Sequence, residues 1–328
     1  MPIKLSKIIQ SQIFGISIAL LILCLGIGLI EMLVKEHPVF FKSINLLNIL
    51  LQTSINTIIA VGMTFIILTA GIDLSVGSLL ALCNILMGLT LLRYEPAGAL
   101  IQISLGMLVA LIVGSGVGFF NGFISVKWNI PPFIVTIGTL GIARGLALWS
   151  INSQTENLIG RVAPAFTFIG NGTLSGVPFP AIIALIVVIV GHILLNYTFF
   201  GRYVLAIGGN EEAARLSGIK VGFYKNLVYI LGGFLVGLAA IIQTSRLGAA
   251  NPTIGAGFEL YAIAAVIIGG TSLMGGKGTI MGTLIGALII GVLNNGLTLM
   301  NIPDEIKQII IGLVIIVAVL LDRLRQRS

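Results

Sequence analysis

The sequence predicts an all-α, polytopic membrane helix bundle. Only 9% of its 328 residues are charged, whereas 57% are hydrophobic, and an ordinary soluble domain is about a quarter charged. The apolar residues are gathered into runs of roughly 20, the length that a helix needs to cross a bilayer. Together these observations exclude an intrinsically disordered chain, a disulfide framework and a cytosolic enzyme.

The chain divides into about ten such runs, which we interpret as membrane spans. The first follows Lys4 and Lys7, but its apolar core is too long for a cleaved signal peptide, so we expect an uncleaved anchor. No loop is large enough for a soluble domain, and residues 1–328 are expected to form a single transmembrane domain. The predicted spans are 12–34, 50–71, 75–92, 98–121, 132–151, 179–199, 226–246, 259–274, 280–300 and 305–322.

An even number of spans places both termini on the same side of the membrane. The positive-inside rule predicts that this side is the cytoplasm. The segments assigned to the cytoplasm hold Lys4, Lys7, Lys127, Arg202, Arg215, Lys220, Lys225, Lys277, Arg323, Arg325 and Arg327; the opposite segments hold fewer basic residues, namely Lys35, Lys42, Arg93, Arg161, Arg246 and Lys307. The positive charge is therefore interpreted as a topology signal, and no nucleic-acid partner is expected.

The remaining composition predicts packing and no cofactor chemistry. Cys24 and Cys83 lie in apolar runs, where a cysteine behaves as a small hydrophobe, and neither His37 nor His192 has a second ligand at metal-binding spacing. We therefore predict neither a metal site nor a bound cofactor. The 42 glycines are typical of close helix–helix approach inside a membrane bundle.

Two similar segments interrupt the hydrophobic pattern in the two halves of the chain. Residues 71–77 and 270–276 share the pattern Gly-x-x-Leu-x-x-Gly. Paired interruptions of this kind are typical of transporters built from internal repeats. Three matching positions could also arise by chance, so a repeat is possible but not required.

The predicted cytoplasmic loop 200–225 contains a short helix. Asn210 is a good N-cap, Glu211 and Glu212 suit a helix N-terminus, and Gly218 suits a left-handed stop. A helix of about seven residues over 211–217, between glycine hinges, cannot persist alone in water. It is either an amphipathic connector at the headgroups or a docking element for another protein, and its small alanines favour docking.

Several strings in the chain identify a family. Glu212-Ala213-Ala214, followed after three residues by Gly218, resembles the EAA loop by which permeases of ABC importers engage their ATPase. The similarity runs from about residue 45 to 322, and ribose-type sugar permeases are the most similar branch. Further family-like strings are residues 60–64, 71–78, 201–219, 269–278 and 294–297. One departure is that residues 228–231 lack the proline that ends the broader importer motif.

The resemblance implies the permease subunit of an ABC importer in the bacterial inner membrane. It implies a homodimer, surrounded by membrane lipid, with a cytoplasmic ATPase subunit and a periplasmic sugar-binding protein as partners. The substrate would be a monosaccharide, with D-ribose as the first choice. The residues expected to couple the permease to the ATPase are Asn210, Glu211, Glu212, Ala213, Ala214, Leu216 and Gly218.

No catalytic residue is predicted in this chain. The nearest approach to a phosphate-binding loop has Thr271 in place of the first glycine and Gly278 in place of the hydroxyl residue, so ATP hydrolysis is expected in a separate subunit. An intramembrane protease using His192 would lack a recognisable nucleophile. The alternative function is a self-sufficient secondary transporter or facilitator of a small neutral solute.

Polar residues within the spans are candidates for the translocation pathway because they are costly in a bilayer. Asp73 is either the N-cap of the third helix or an inner-gate or subunit-interface residue. Arg144 either extends outward to the interface or pairs within the bundle. The predicted pathway or gate residues are Asp73, Asn56, Asn84, Asn294 and Asn295. The amides of the four asparagines, and that of Gln243, could bind sugar hydroxyls or only hold helices together.

Overall fold

The computed structural model describes residues 12–327, with side chains described for residues 13–320. This part of the chain contains thirteen α-helices, one 3-10 turn and four two-residue strands. The helices are α1 Gln12–Val34, α2 Ser43–Leu68, α3 Val76–Arg93, α4 Ala99–Lys127, α5 Pro132–Ser150, α6 Pro164–Asn171, α7 Phe179–Tyr197, α8 Phe199–Gly209, α9 Glu211–Leu216, α10 Val221–Leu247, α11 Phe258–Ile268, α12 Ile280–Leu299 and α13 Asp304–Arg327. The 3-10 turn is Glu95–Ala97, and the strands are β1 Glu156–Asn157, β2 Thr173–Leu174, β3 Val177–Pro178 and β4 Ala249–Ala250.

The expected all-α membrane bundle is confirmed. Eight helices within the described residues are long and apolar enough to cross a bilayer, namely α1, α2, α3, α4, α5, α7, α10 and α12. Helix α13 corresponds to the tenth predicted span. The predicted position of the N-terminus with Lys4 and Lys7 lies outside the described residues.

The predicted span 259–274 differs from the structure. Its helix, α11, ends at Ile268 and is followed by an irregular turn through residue 279. Eleven residues of α-helix extend about 16 Å, roughly half the hydrocarbon thickness of a bilayer. Apolar composition alone could not reveal this, because the turn residues are also largely uncharged.

Three mostly buried helices, α2, α3 and α10, form the centre of the bundle. Helix α4 packs along α10 and α3, α5 covers α3, and α7, α11 and α12 surround α2. Helix α1 lies outside α12 and exposes most of its apolar surface. Because lipid is as apolar as leucine, this exposed apolar surface is what a membrane bundle presents to the bilayer.

The contact between α4 and α10, hereafter the glycine seam, brings two backbones together. Small residues recur at every fourth position of α4: Gly106, Ala110, Gly114, Gly118 and Gly122. A Cβ atom added at Gly114 would meet the Gly233 carbonyl, and one at Gly118 would meet the Tyr229 carbonyl. The predicted role of glycine in close helix approach is therefore confirmed at this seam.

The segment between α5 and α7, which joins the predicted spans 132–151 and 179–199, is folded onto the end of α10. Strand β1 pairs antiparallel with β4, and β2 pairs with β3 in a hairpin. The Ser245 hydroxyl accepts a hydrogen bond from the Gly170 backbone N–H, at 2.7 Å, and donates to the Phe166 carbonyl. These contacts join the loop to the membrane helices instead of leaving it as a separate domain.

Candidate functional site

The short helix α9 is bounded by the two residues that the sequence indicates. The Asn210 side chain accepts a hydrogen bond from the Ala213 N–H, at 2.9 Å, which satisfies one of the free donors at the helix N-terminus. The helix ends at Leu216, and Gly218 takes a left-handed conformation with φ +83°. The Gly218 N–H donates to the Arg215 carbonyl, at 3.0 Å. Both ends of α9 are therefore determined by local chemistry.

One side of α9 rests on the bundle and the other is free. Ala214 is buried, and the Lys225 ammonium of α10 donates to the Glu211 carboxylate, at 2.6 Å. In contrast, the Leu216 side chain is 80% exposed, and Glu212 and Arg215 form an exposed ion pair. An exposed leucine beside a small charged pair is a surface suited to a protein partner.

The glycines before α9 do not form the flexible hinge that was expected. Gly208 and Gly209 both lie within α8. A Cβ atom at Gly208 would meet the Leu68 carbonyl at the end of α2, whereas one at Gly209 would meet nothing within 4 Å. Gly208 is therefore required for close packing and fixes α8, and so the start of α9, to the end of α2.

The two interrupted segments lie against each other in the fold. The Gly276 N–H donates to the Leu68 carbonyl, at 3.0 Å. Two residues after the end of α2, Ala70 has φ +57°, and two residues after the end of α11, Gly270 has φ +86°. In each case the N–H of the next residue donates to the carbonyl five residues before it. The geometrically equivalent pair is thus Ala70 and Gly270, one residue out of step with the sequence match. Both interruptions are similar helix stops, but the Gly-x-x-Leu-x-x-Gly positions are not equivalent in space.

Asp73 lies in the turn between α2 and α3 and is 2% exposed. Its carboxylate accepts hydrogen bonds from the Ser75 N–H and hydroxyl, at 2.8 and 2.6 Å. The Asn121 amide of α4 donates to the Ser75 hydroxyl, at 3.1 Å, and accepts from the Thr139 hydroxyl of α5, at 2.6 Å. A buried polar chain therefore crosses from the turn to two helices.

The expectation that Asp73 is the N-cap of α3 does not match the structure. Ser75 occupies the N-cap position of α3 without a side-chain capping bond, and Asp73 lies two residues earlier, where it holds the Ser75 backbone. Burial raises the pKa of the Asp73 carboxyl above its ordinary value, although hydrogen bonds from Ser75 and Asn121 lower it in part. Among the described residues Asp73 has no ion pair.

Of the five candidate amides, two are hydrogen-bonded to other protein groups, two have a buried oxygen without a partner, and one is partly exposed. The Asn84 amide donates to Thr244 and to the Ala249 carbonyl and accepts from the Asn251 N–H. Asn295 and Asn45 exchange reciprocal hydrogen bonds, at 2.9 and 3.0 Å. In contrast, the buried Oδ1 of Asn56 and Oε1 of Gln243 have no partner among the described residues. Asn294 is partly exposed beside Asn295.

Sequence reasoning missed a re-entrant segment, residues 248–257, between α10 and α11. Ala250 lies against Gly88 of α3, and Gly255 lies against Gly77. Eleven residues of α3 separate these two contacts, so the segment runs back along α3 for about 16 Å. Irregular backbone at membrane depth is tolerated only inside protein or beside a water-filled cavity. The available signal was Asn251-Pro252 with Gly248, Gly255 and Gly257, which breaks the apolar pattern.

Arg144 pairs within the bundle rather than extending outward. Its guanidinium donates to the carbonyls of Pro252 and Ile254, the latter at 3.0 Å. These carbonyls belong to the re-entrant segment, whose backbone would otherwise lack partners. Arg144 and Asn84 therefore hold the re-entrant segment from opposite ends.

The remaining titratable groups do not assemble into a reaction centre in the described part of the chain. No group of three His, Cys, Asp or Glu side chains there is placed to hold a metal ion. His192 lies 3.1 Å from the Asn196 amide on the same helix. The fold and these sites thus define a polytopic membrane protein with interrupted helices in its interior, as in transporters.

Comparison with known proteins identifies the family. The family described as "Branched-chain amino acid transport system / permease component" matches residues 45–319. The ribose import permease protein RbsC of Haemophilus influenzae is 46% identical over 93% of this chain and 91% of its own, and that of Bacillus subtilis is 44% identical over 91% of each. The D-allose transport system permease protein AlsC of Escherichia coli is 41% identical over 87% of this chain and 85% of its own.

The chain belongs to this permease family. It is therefore a multi-pass inner-membrane protein and the permease component of an ABC importer, and its relatives are named as permeases rather than enzymes. No solved structure matches the chain.

Proposed function

We propose that this permease imports a monosaccharide, D-ribose in the first instance, with ATP hydrolysed by a partner subunit. The observation that carries the proposal is the 44–46% identity to ribose import permeases over more than nine-tenths of both chains. The relative that transports D-allose supports the wider class of neutral sugars. Neutral hydroxyl-rich solutes need amide and hydroxyl partners rather than a counter-ion, and those are the groups that the described spans contain.

We propose α9 as the element that docks on the cytoplasmic ATPase within a single permease domain. The proposed contact surface is built on the helix from Asn210 to Gly218, and the exposed side chains of Leu216 and Glu212 support it. Ala213 and Ala214 allow close approach, Ala214 toward the bundle. The basic and aromatic residues at the same end of the bundle support a cytoplasmic interface: Lys127, Trp128, Arg202, Tyr203, Tyr224 and Lys225.

Two contacts would transmit movement of α9 to the membrane helices. The Glu211–Lys225 ion pair joins α9 to α10. Gly208, packed on the Leu68 carbonyl, joins α8 to the end of α2 and to the turn 269–279. Helices α2 and α10 are central to the bundle, so displacement there would reach the polar chain around Asp73, which we propose as an inner-gate element.

The proposed pathway residues carry different support. The buried Asn56 Oδ1 has no partner among the described residues and Asn294 is partly exposed, whereas Asn84 and Asn295 already bond to protein groups. We therefore propose Asn56 and Asn294 as pathway contacts, and Asn84 and Asn295 as residues that shape the pathway by holding its walls. A periplasmic sugar-binding protein would deliver the sugar to a permease homodimer.

Reconstitution tests the proposal. Vesicles containing the chain, an ATPase subunit and a sugar-binding protein from one importer should accumulate ribose only with ATP, and vesicles with the chain alone should not. Glu212→Lys, which reverses a charge on the free side of α9, should reduce uptake at least tenfold, whereas Glu36→Lys in a distant exposed loop should not. Ribose transport by the chain alone would instead support a self-sufficient carrier.

A further inference from the structure

Four amide side chains share one face of the first half of α2. Asn45, Asn48, Gln52 and Asn56 follow the spacing i, i+3, i+7 and i+11. At about 100° per residue, these positions fall within an arc of about 80°. Amides arranged in this way form a continuous polar track along the helix, which we call the amide track.

The middle of the amide track is exposed, whereas its two ends meet buried parts of the bundle. Asn48 and Gln52 are exposed and Asn56 is partly exposed, whereas every α2 residue from 57 to 68 is buried. The Asn45 amide is occupied by Asn295. Leu46 and Leu50, on the opposite side of the helix, are exposed and apolar. From residue 45 to the end of α2, the exposed residues are thus Asn48 and Gln52 on an amide face and Leu46 and Leu50 on a leucine face.

The two faces of α2 cannot have the same environment. Leucine suits lipid, but an amide placed in hydrocarbon without a hydrogen-bond partner costs several kcal/mol. The Asn56 Oδ1 atom, at the inner end of the track, is buried and has no partner among the described residues. Unmet hydrogen-bonding capacity therefore remains on the amide face after the chain has folded.

The track lies in the half of α2 away from α9. The other end of α2, at Leu68, packs against Gly208 and Gly276 on the α9 side. If α9 faces the cytoplasm, as the proposed function requires, the amide track occupies the periplasmic half of the membrane. A solute released by a periplasmic protein would meet this half first.

We propose that Asn48, Gln52 and Asn56 form a weak binding site for a neutral, polyhydroxylated solute entering from the periplasm. Each amide offers two N–H donors and one oxygen acceptor, which suits hydroxyl groups that both donate and accept. Successive amides four residues apart are about 6 Å apart along the axis, so a sugar can exchange partners stepwise. The inference rests on the proposed import function and assigns Asn48 and Gln52 a direct role in it.

Water access can be measured without any transport. In a background carrying Cys24→Ala and Cys83→Ala, Gln52→Cys should react with a membrane-impermeant maleimide at least tenfold faster than Leu50→Cys, and 100 mM ribose should slow the reaction. Equal reactivity of the two cysteines would overturn the proposal. Formation of a disulfide-linked dimer by the Gln52→Cys protein would also overturn the proposal. The amide face would then be an interface between two copies of the chain.

Transport tests the same residues in the complete importer. Asn48→Leu and Gln52→Leu should each lower ribose uptake at least tenfold while ATP hydrolysis stimulated by the binding protein persists, and Gln52→Asn should retain most uptake. Leu50→Met is the matched control on the leucine face. Wild-type uptake by both the Asn48→Leu and the Gln52→Leu importers would overturn the proposal. Failure of the wild-type importer to transport ribose would instead reject the proposed function, and the maleimide result would still decide whether the track faces water.

Discussion

The glycine seam and helix α9 both depend on glycine, but for opposite reasons. In the seam, Gly114 and Gly118 have ordinary helical backbones and are needed because another backbone occupies the space of a side chain. At α9, Gly218 has open space around it and is needed because its backbone is left-handed, with φ +83°. The first requirement is tertiary and the second is local.

This difference shows how the molecule divides its tasks. The seam joins two long helices without a hydrogen-bonded side chain, as small residues do inside membranes. Helix α9 is only six residues long and is defined by its ends, since a helix this short has little stability of its own. We expect substitutions in the seam to affect folding and substitutions around α9 to affect coupling.

The largest effect is expected in the seam. Gly118→Val would place two methyl groups against the Tyr229 carbonyl and should destabilise the protein by about 3 kcal/mol or more, because the two helices must separate. Gly116→Val on the same helix is the control, since a Cβ there meets nothing within 4 Å. Thermal unfolding in detergent should separate the two variants clearly, and equal melting temperatures would contradict the role given to the seam.

The second effect is on transport at nearly constant stability. Gly218→Pro removes the N–H that donates to the Arg215 carbonyl and cannot adopt a positive φ. ATP-driven uptake should fall below a tenth of wild type while the melting temperature changes little. Gly218→Asn should keep most uptake, because asparagine tolerates the left-handed region. Loss of uptake in both variants would show that something other than backbone geometry is required.

The third effect concerns Asp73, whose hydrogen-bond chain reaches Asn121 on the seam helix α4. Its raised pKa means that the ionised form opposes folding; this cost is absent below the ordinary pKa of 3.8 and fully present above the raised value. Asp73→Asn keeps an oxygen that can accept from Ser75 and removes the charge.

We therefore expect the Asp73→Asn protein to melt at or above the wild-type temperature at pH 7.5. It should also gain less stability than wild type as the pH is lowered toward the ordinary pKa of 3.8. Asp73→Leu, which leaves the Ser75 donors without an acceptor, should cost about 1–3 kcal/mol. If uptake is lost in Asp73→Asn although the protein is stable, the carboxylate acts in the gate. If the stability of Asp73→Asn depends on pH as that of wild type does, burial of the charged Asp73 carboxylate does not oppose folding.

The smallest effect is expected at the other end of α9. Asn210→Ala removes the acceptor for the Ala213 N–H and should cost about 1 kcal/mol of local helix stability. The dissociation constant of the ATPase subunit should rise severalfold, and Asn210→Asp should restore it. Binding measured by fluorescence in detergent would test this, and unchanged affinity in the alanine variant would show that α9 is held by the bundle alone.

Local features were predictable because their causes lie within a few residues. The N-cap at Asn210, the stop at Gly218 and the apolar spans follow from short-range rules, and family membership followed from strings such as residues 71–78 and 201–219. The environment of Asn84 was not predictable, because its partners Thr244 and Asn251 are more than 150 residues away. The same holds for Arg144, whose role depends on where residues 252–254 are placed.

The sequence by itself determined the membrane class, the family and the two ends of α9, because composition and local backbone preferences act independently of the rest of the chain. The tertiary structure alone decided which glycines are packing sites, which amides are already occupied and where the chain re-enters the bundle. The physical reason is that a glycine or an amide has the same chemistry everywhere, and only the neighbouring helix determines whether its space or its hydrogen bonds are taken.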